Sequence, residues 1–276
     1  MAAGGGVVSA IVAQAGGTPG LGCKPAPDDL GTFRDAVDFI FSQRESVSGG
    51  ACIGGFEELG DLAVSHMSVS IVALLGALVI ALPIGLALGH IGRGEFLAVS
   101  VSNVGRAVPA LALLAFFVAF VGLGFVNIAI VLGLLAIPPI LTNTYVGVRQ
   151  ADPDTVAAAR GVGLTEGQIV RKIELPLALP IIFAGIRLSA VAVVATATIA
   201  PLGNVQSLGN PILEPQNYGG AGQLGAAIVV ALITLATDAA LGGVQRAVTP
   251  RPLRAPLWRP RIRRTPLAVP PRTEIS

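Results

Sequence analysis

From Ala107 to Val148 the chain carries no Asp, Glu, Lys or Arg. A charge-free run of that length fits a bilayer and little else. A hydrocarbon layer of about 30 Å is crossed by about 20 mainly apolar residues in a helix, because lipid offers no partner to an open backbone N–H or C=O. The run holds roughly twice that many residues and is punctuated by Gly122-Leu123-Gly124, so it divides into two expected spans, 104–121 and 125–143. Three further apolar runs qualify, at 69–89, 179–202 and 223–243. Charged residues make up 12% of the chain and hydrophobic ones 53%, against roughly 25% charged in soluble domains. The expected fold class is all-α integral membrane, with about five transmembrane helices.

Lys and Arg mark the cytoplasmic flanks of such helices. Arg93 and Arg106 follow the first span, and Arg149, Arg160, Arg171 and Lys172 lie between the third and fourth. Eight arginines fall between Arg246 and Arg272. These segments are expected in the cytoplasm. Residues 203–222 hold Glu214 and no basic residue, while residues 1–64 hold three basic residues against eight acidic ones. Both are expected outside, so five spans put the N-terminus outside and the C-terminus in the cytoplasm. The chain then divides into an extracytoplasmic, partly disordered segment at 1–64, a transmembrane domain at 65–246 with a cytoplasmic loop at 144–178, and an Arg/Pro-rich cytoplasmic tail at 247–276.

The termini carry weaker signals. The apolar start MAAGGGVVSAIVAQAGG lacks the basic residues that precede a secretory signal, and it reads as disordered or loosely membrane-associated. Residues 39–44 are expected to form a short helix on the outer surface. The Pro-rich tail cannot form a regular helix; its arginines and Trp258 suit anionic headgroups, so membrane lipid rather than nucleic acid is the expected partner. Cys23 and Cys52 both fall in the outer segment, where a disulfide or two free thiols are equally open.

Between the third and fourth spans lies a charged, cap-rich island. Asp152-Pro153-Asp154 starts a helix: Pro is tolerated in the first turn, and acidic groups complement the positive end of the helix dipole. Ala157, Ala158, Ala159 and Arg160 continue it, and Gly161 and Gly163 offer the left-handed backbone that stops it. Thr165 and Gln168 are spaced as a capping box for a second short helix, which is expected to reach about Glu174 and break at Leu175-Pro176. Helix, glycine turn and helix make a compact knob. Its small residues let another protein's backbone come close, and Arg160, Arg171 and Lys172 offer polar anchors.

Written as a pattern, the island is A-A-A-x3-G-x9-I-x-L-P. It resembles the cytoplasmic E-A-A-x3-G-x9-I-x-L-P loop of bacterial ABC-importer membrane subunits, fixed gaps included. The stretch from Asn143 to Arg187 is similar to the permeases of glycine betaine, carnitine, choline and proline uptake, and a looser likeness runs from about Phe39 to about Ala247. The family's usual glutamate is Ala157 here, so the contacts of that carboxylate are missing. The resemblance implies a type I ABC-importer permease (MetI-like) architecture in the bacterial cytoplasmic (inner) membrane, translocating an osmoprotectant. It makes Ala157, Ala158, Ala159, Arg160, Gly161, Gly163, Ile173, Leu175 and Pro176 the ATPase-coupling loop. It further implies a separate cytoplasmic ATPase in two copies, a second permease copy or paralogue, and an extracytoplasmic substrate-binding protein. An importer of another small solute, such as an amino acid or methionine, is the alternative in the same class. An ATP-independent secondary transporter is the alternative outside it.

The remaining residues point away from catalysis. A phosphate-binding loop needs Gly-Lys before Ser or Thr, and the two lysines, Lys24 and Lys172, follow Cys23 and Arg171. No cofactor is expected on this chain, ATP and magnesium belonging to the partner. His66 and His90 flank the first span without a metal-ligand set and are expected to have no special role. Quaternary ammonium ligands favour aromatic cages, and with one Trp, two Tyr and ten Phe no such cage is expected in the spans. Selectivity then falls to the external binding protein, for which Asn204, Asn210, Glu214, Asn217 and Tyr218 are candidate docking residues, or simply parts of a glycine-rich connector. Arg187 and Asp238 lie at similar depths in the fourth and fifth spans, about 12 Å from one end. They are expected either to pair or, separately, to snorkel and bind water.

Overall fold

The structure is a computed structural model that describes residues 22–25, 33–92, 94–96, 100, 105 and 108–249. The expectations for residues 1–21, for Arg93 and Arg106, and for the tail beyond 249 with Trp258 lie outside these residues. The chain order is α1 (Phe33–Phe41), β1 (Gln43–Glu45), β2 (Cys52–Gly54), α2 (Gly55–Ile91), α3 (Ala110–Val121), α4 (Phe125–Arg149), α5 (Pro153–Gly161) and α6 (Glu166–Ile169). A π-turn (Val170–Glu174) leads into α7 (Leu175–Thr196), a 3-10 turn (Ala197–Gly203), α8 (Asn210–Leu213) and α9 (Pro215–Val248).

Among the described residues, four helical segments are long and apolar enough to cross a membrane: 55–91, 125–149, 166–203 and 215–248. Each outruns its apolar stretch. At 1.5 Å per residue α2 is roughly 55 Å long, so it extends well beyond a 30 Å layer, and its first turns carry Glu57, Glu58 and Asp61. The second expected span is shorter than the hydropathy implied. Helix α3 has 12 residues and takes Pro109 as its N-cap, in extended backbone; a residue preceding proline is pushed out of helical geometry, which stops the helix there.

Packing is organised by one face of α2. Val69, Ala73, Ala77, Ala81, Gly85 and Gly89 recur every fourth residue, and all are buried. Residues four apart form one ridge of a helix, and here the ridge is built of small side chains. It lies on α4: a Cβ at Gly85 would stand 2.7 Å from the Thr144 Cβ, and one at Gly89 2.7 Å from the Val148 Cβ. The opposite side of α4 meets α7 as closely. A Cβ at Gly185 would fall 2.6 Å from the Asn143 Cβ, and the Ser189 hydroxyl donates to the Ala136 carbonyl at 2.9 Å. Helix α2 also reaches α7 directly through His66, whose Nε2 lies 2.8 Å from the Val194 carbonyl. Expected to flank the first span without a special role, His66 is instead fully buried, because the small residues around it bring the two helices within reach of its ring.

Beside the first turns of α2 residues 22–25 and 33–54 form a small cap. Helix α1 was expected over residues 39–44, but it ends at Phe41 and the chain turns into an antiparallel pair of strands in which Arg44 faces Ile53. Phe39 points inward, 1% exposed, with its ring edge-on to Tyr218 at 6.2 Å. Cys23 and Cys52 are disulfide-bonded, Cα atoms 6.0 Å apart. Asp38 receives Lys24 and Arg44, each at 2.8 Å, and those two cations, Lys24 foremost, hold its carboxyl down to about 2.

Two outcomes test this packing. Gly85→Leu or Gly89→Leu should each cost about 1–3 kcal/mol through overpacking and lower the thermal midpoint of the detergent-purified protein. Gly76→Ala, where a Cβ meets nothing within 4 Å, should leave it unchanged. The cap should respond to acid with a definite sign. A carboxylate depressed in the folded state stabilises above its ordinary value of 3.8 and loses that contribution as pH falls toward about 2. Protease-accessible sites in residues 33–54 should therefore open between those limits, and at neutral pH on reduction of the disulfide.

Candidate functional site: the knob at 152–176

Asp152 caps α5 with its side chain, accepting from the Asp154 N–H at 3.0 Å, and Pro153 takes the first turn. The helix stops in a Schellman turn: the Gly163 N–H donates to the Arg160 carbonyl at 3.0 Å and the Leu164 N–H to the Ala159 carbonyl at 3.1 Å. Gly163 takes the left-handed position, φ +87°, and Gly161 remains the last residue of the helix. Thr165 and Gln168 form the second capping box reciprocally.

The expected break at Leu175-Pro176 does not occur. Helix α6 opens into the π-turn, in which the Leu175 N–H reaches back to the Val170 carbonyl, and helix continues to Thr196. A proline ring clashes with the carbonyl four residues back in a regular helix; the wider turn before it gives Pro176 room in the first turn of α7. From Glu166 onward the second part of the knob and α7, within the third of the four long segments, are thus one continuous rod.

The residues matched to the loop pattern divide into two sets. Ala157, Ala158, Arg160, Gly161 and Gly163 are exposed, whereas Ala159 is buried and Ile173, Leu175 and Pro176 are partly covered against the bundle. Ile169 is fully buried and anchors the knob from beneath. At the tip stands Val162, 77% exposed between the two glycines. Sequence reasoning passed over Val162, although an apolar residue between two glycines after a capped helix is a readable signal.

Below the tip lies a polar cluster that spacing alone does not reveal. Arg160 holds Glu166 through two hydrogen bonds, of 2.9 and 3.0 Å. Glu166 Oε2, which also accepts from Arg160, is 3.1 Å from His90 Nε2, and His90 Nδ1 lies 2.8 and 3.0 Å from the two oxygens of Glu174. Glu174 is 4% exposed. His90, expected to be a bystander, bridges the end of α2 to the knob. It escaped notice because Glu174 is 84 residues away in sequence.

Residues 67–254 match the model of the binding-protein-dependent transport system inner membrane component. The chain belongs to this family. Among its relatives, the carnitine transport permease protein OpuCB of Listeria monocytogenes is 36% identical over 68% of this chain and 87% of that one. The glycine betaine/carnitine/choline transport system permease protein OpuCB of Bacillus subtilis (strain 168) is 33% identical over the same shares. The fold is that of inward-facing structures of the MetNI methionine ABC transporter, with TM-score 0.61, 21% identity and coverage of 70% of this chain and 96% of that one. A crystal structure of an amino acid ABC transporter is also similar, with TM-score 0.55, 17% identity and coverage of 68% and 93%.

In this inner-membrane component the other residues singled out by sequence fall into two places. Arg187 clasps Asp238 with two hydrogen bonds, of 2.9 and 2.7 Å, joining α7 to α9. Gln245 completes the contact, accepting from Arg187 at 3.2 Å and donating to the Pro180 carbonyl at 3.1 Å. In the segment before α9, Glu214 gathers Asn210 and Asn217, each at 3.0 Å. Tyr218 turns away to donate to Glu58 at 2.8 Å, and Asn204 closes the 3-10 turn in left-handed backbone. Residues 203–222 are therefore less of a loop than expected, since α9 already begins at Pro215, with a kink at Gly219. Between α2 and α4 runs a groove of about 330 Å³ lined by Ala73, Gly76, Ala77, Ala129, Gly133 and larger aliphatic residues, with Phe125 the one aromatic among the described residues that line it.

Charge reversal tests the clasp. Asp238→Arg should destabilise the permease, and adding Arg187→Asp should restore it, a coupling read from thermal unfolding of the four-member cycle. A double variant that loses as much as the two single variants added together would mean that the two side chains do not support each other.

Proposed function

We propose that this chain is the membrane-spanning subunit of an ATP-binding-cassette importer that carries a small osmoprotectant of the glycine betaine, choline, carnitine or proline kind. The knob at 152–176 is where the separate cytoplasmic ATPase docks. The observation that carries this reading is the knob itself: a capped helix ending in Ala, Gly and an exposed Val162, fused through Glu166–Gly203 to a helix long enough to span the membrane. A push on such a knob is delivered to the bundle as rigid-body motion.

On this reading ATP and magnesium are held by the partner, which closes on ATP and moves the knob; this chain contributes the path and the lever. The knob faces the cytoplasm, and the disulfide-bonded cap faces outside, where cysteines oxidise. Five helices enclose a thin path, so a second copy or a related permease completes it, and an external binding protein delivers solute. The small aliphatic lining of the α2–α4 groove supports a low-affinity path with selectivity held elsewhere. The osmoprotectant class is supported by the names of the relatives, which are 36% and 33% identical. The methionine and amino acid systems resemble the chain in fold only.

The test is ATP-dependent uptake of labelled glycine betaine, choline, carnitine and proline into vesicles that hold the chain with its ATPase and binding protein. One of these should accumulate, and uptake should be lost without ATP. Gly163→Val places a β-branched residue in left-handed backbone at a cost of about 1–3 kcal/mol, so it should unseat the turn and cut ATPase capture and uptake at least tenfold, a margin of about 1.4 kcal/mol. Normal ATP-driven uptake by that variant would refute the docking role of the knob.

A further inference from the structure

We propose that His90 is a positioning residue for energy coupling, tying the end of α2 to the ATPase-docking knob so that motion of the knob reaches α2 as well as α7. This rests on the docking role of the knob. The knob is covalently continuous with two helices of the bundle, through residues 150–152 with α4 and through the π-turn with α7. Helix α2, whose small-residue ridge organises the packing, has no such link. Its last turn reaches the knob through the His90 ring, which stands between carboxylates on two successive parts of the rod: Glu166 at the start of α6 and Glu174 at the end of the π-turn.

Three features make this a built connection. Glu174 is buried, and His90 is the side chain that pairs with it among the described residues; a buried carboxylate without a partner is strongly disfavoured, so the contact is specified rather than incidental. The two imidazole nitrogens lie on opposite edges of the ring and are both used, Nε2 toward Glu166 and Nδ1 toward Glu174. Glu166 is also gripped by Arg160 on α5, which extends the link to the exposed helix of the knob. Position 157 supplies no carboxylate in this chain, and the line from Arg160 through Glu166 and His90 to Glu174 provides the polar connection between knob and bundle.

The experiment compares uptake with ATP hydrolysis in vesicles that contain the full complex. His90→Ala should assemble with the ATPase and continue to hydrolyse ATP, while solute imported per ATP falls about tenfold, within the range typical of residues that carry coupling. Glu174→Ala should do the same, and the double variant should be no worse than either single one. His90→Lys, a cation within reach of both carboxylates, should recover the ratio to within about twofold. If His90→Ala lowers the amount of complex, His90→Gln decides, because it keeps a polar side chain of similar size but has no second nitrogen on an opposite edge. An unchanged import-to-hydrolysis ratio in His90→Ala or His90→Gln, or additive losses in the double variant, would overturn the proposal. Gly163→Val separates the two claims: normal ATPase capture by that variant removes the docking role itself, whereas failed capture beside a normal His90→Ala removes only the link.

Discussion

The close contact of α2 with α4 is the constraint on which the other parts depend. Lipid is as apolar as a leucine side chain, so burying hydrocarbon gains little between helices in a bilayer; dispersion at short range and backbone approach must hold them. The ridge from Val69 through Ala73, Ala77 and Ala81 to Gly85 and Gly89 provides this, since nothing larger than Val projects from that face. With α4 seated on the ridge, its far side accepts α7 through Gly185 and Ser189, and the three-helix core brings His66 to Val194 and His90 to Glu174. Polar groups that would be costly alone are satisfied because the small residues have already set the helix spacing.

The same geometry accounts for the lever. A knob joined to its bundle by a flexible break would dissipate any motion imposed on it, and Leu175-Pro176 at the junction is in sequence a signal for such a break. The π-turn removes the conflict by widening the helix just before the proline. Rigidity there, together with the clasp of Arg187 on Asp238 below it, gives α7 a fixed partner on each side: α4 through packed small residues and α9 through charge. Helix α9 by contrast buries little of its length, and its exposed Leu232 and Leu235 suit contact with lipid.

Local signals in the sequence were legible where the deciding physics is local. Asp152, Pro153, Thr165, Gln168 and Gly163 set caps and a left-handed turn within a few residues of themselves, and the structure places each in the expected position. Hydropathy located the membrane-crossing cores but not their ends. Helices α2, α7 and α9 extend past the apolar stretch into polar residues that pack on the cap or form the knob, and no hydropathy argument covers those turns. Val108-Pro109 trimmed α3, a boundary that the sequence carried but that the uncharged run concealed.

Membrane class, the knob's caps and the family pattern at 157–176 followed from sequence alone, since each depends on composition or on spacings shorter than a turn or two of helix. The tertiary structure decided which residues meet across long separations. It paired Cys23 with Cys52 where compartment left pairing open, turned Phe39 inward beneath Tyr218, buried His66, and placed His90 between Glu166 and Glu174. These outcomes depend on which face of α2 lies against α4 and how closely, and that is fixed by summed contacts along the whole ridge rather than by any short stretch of chain.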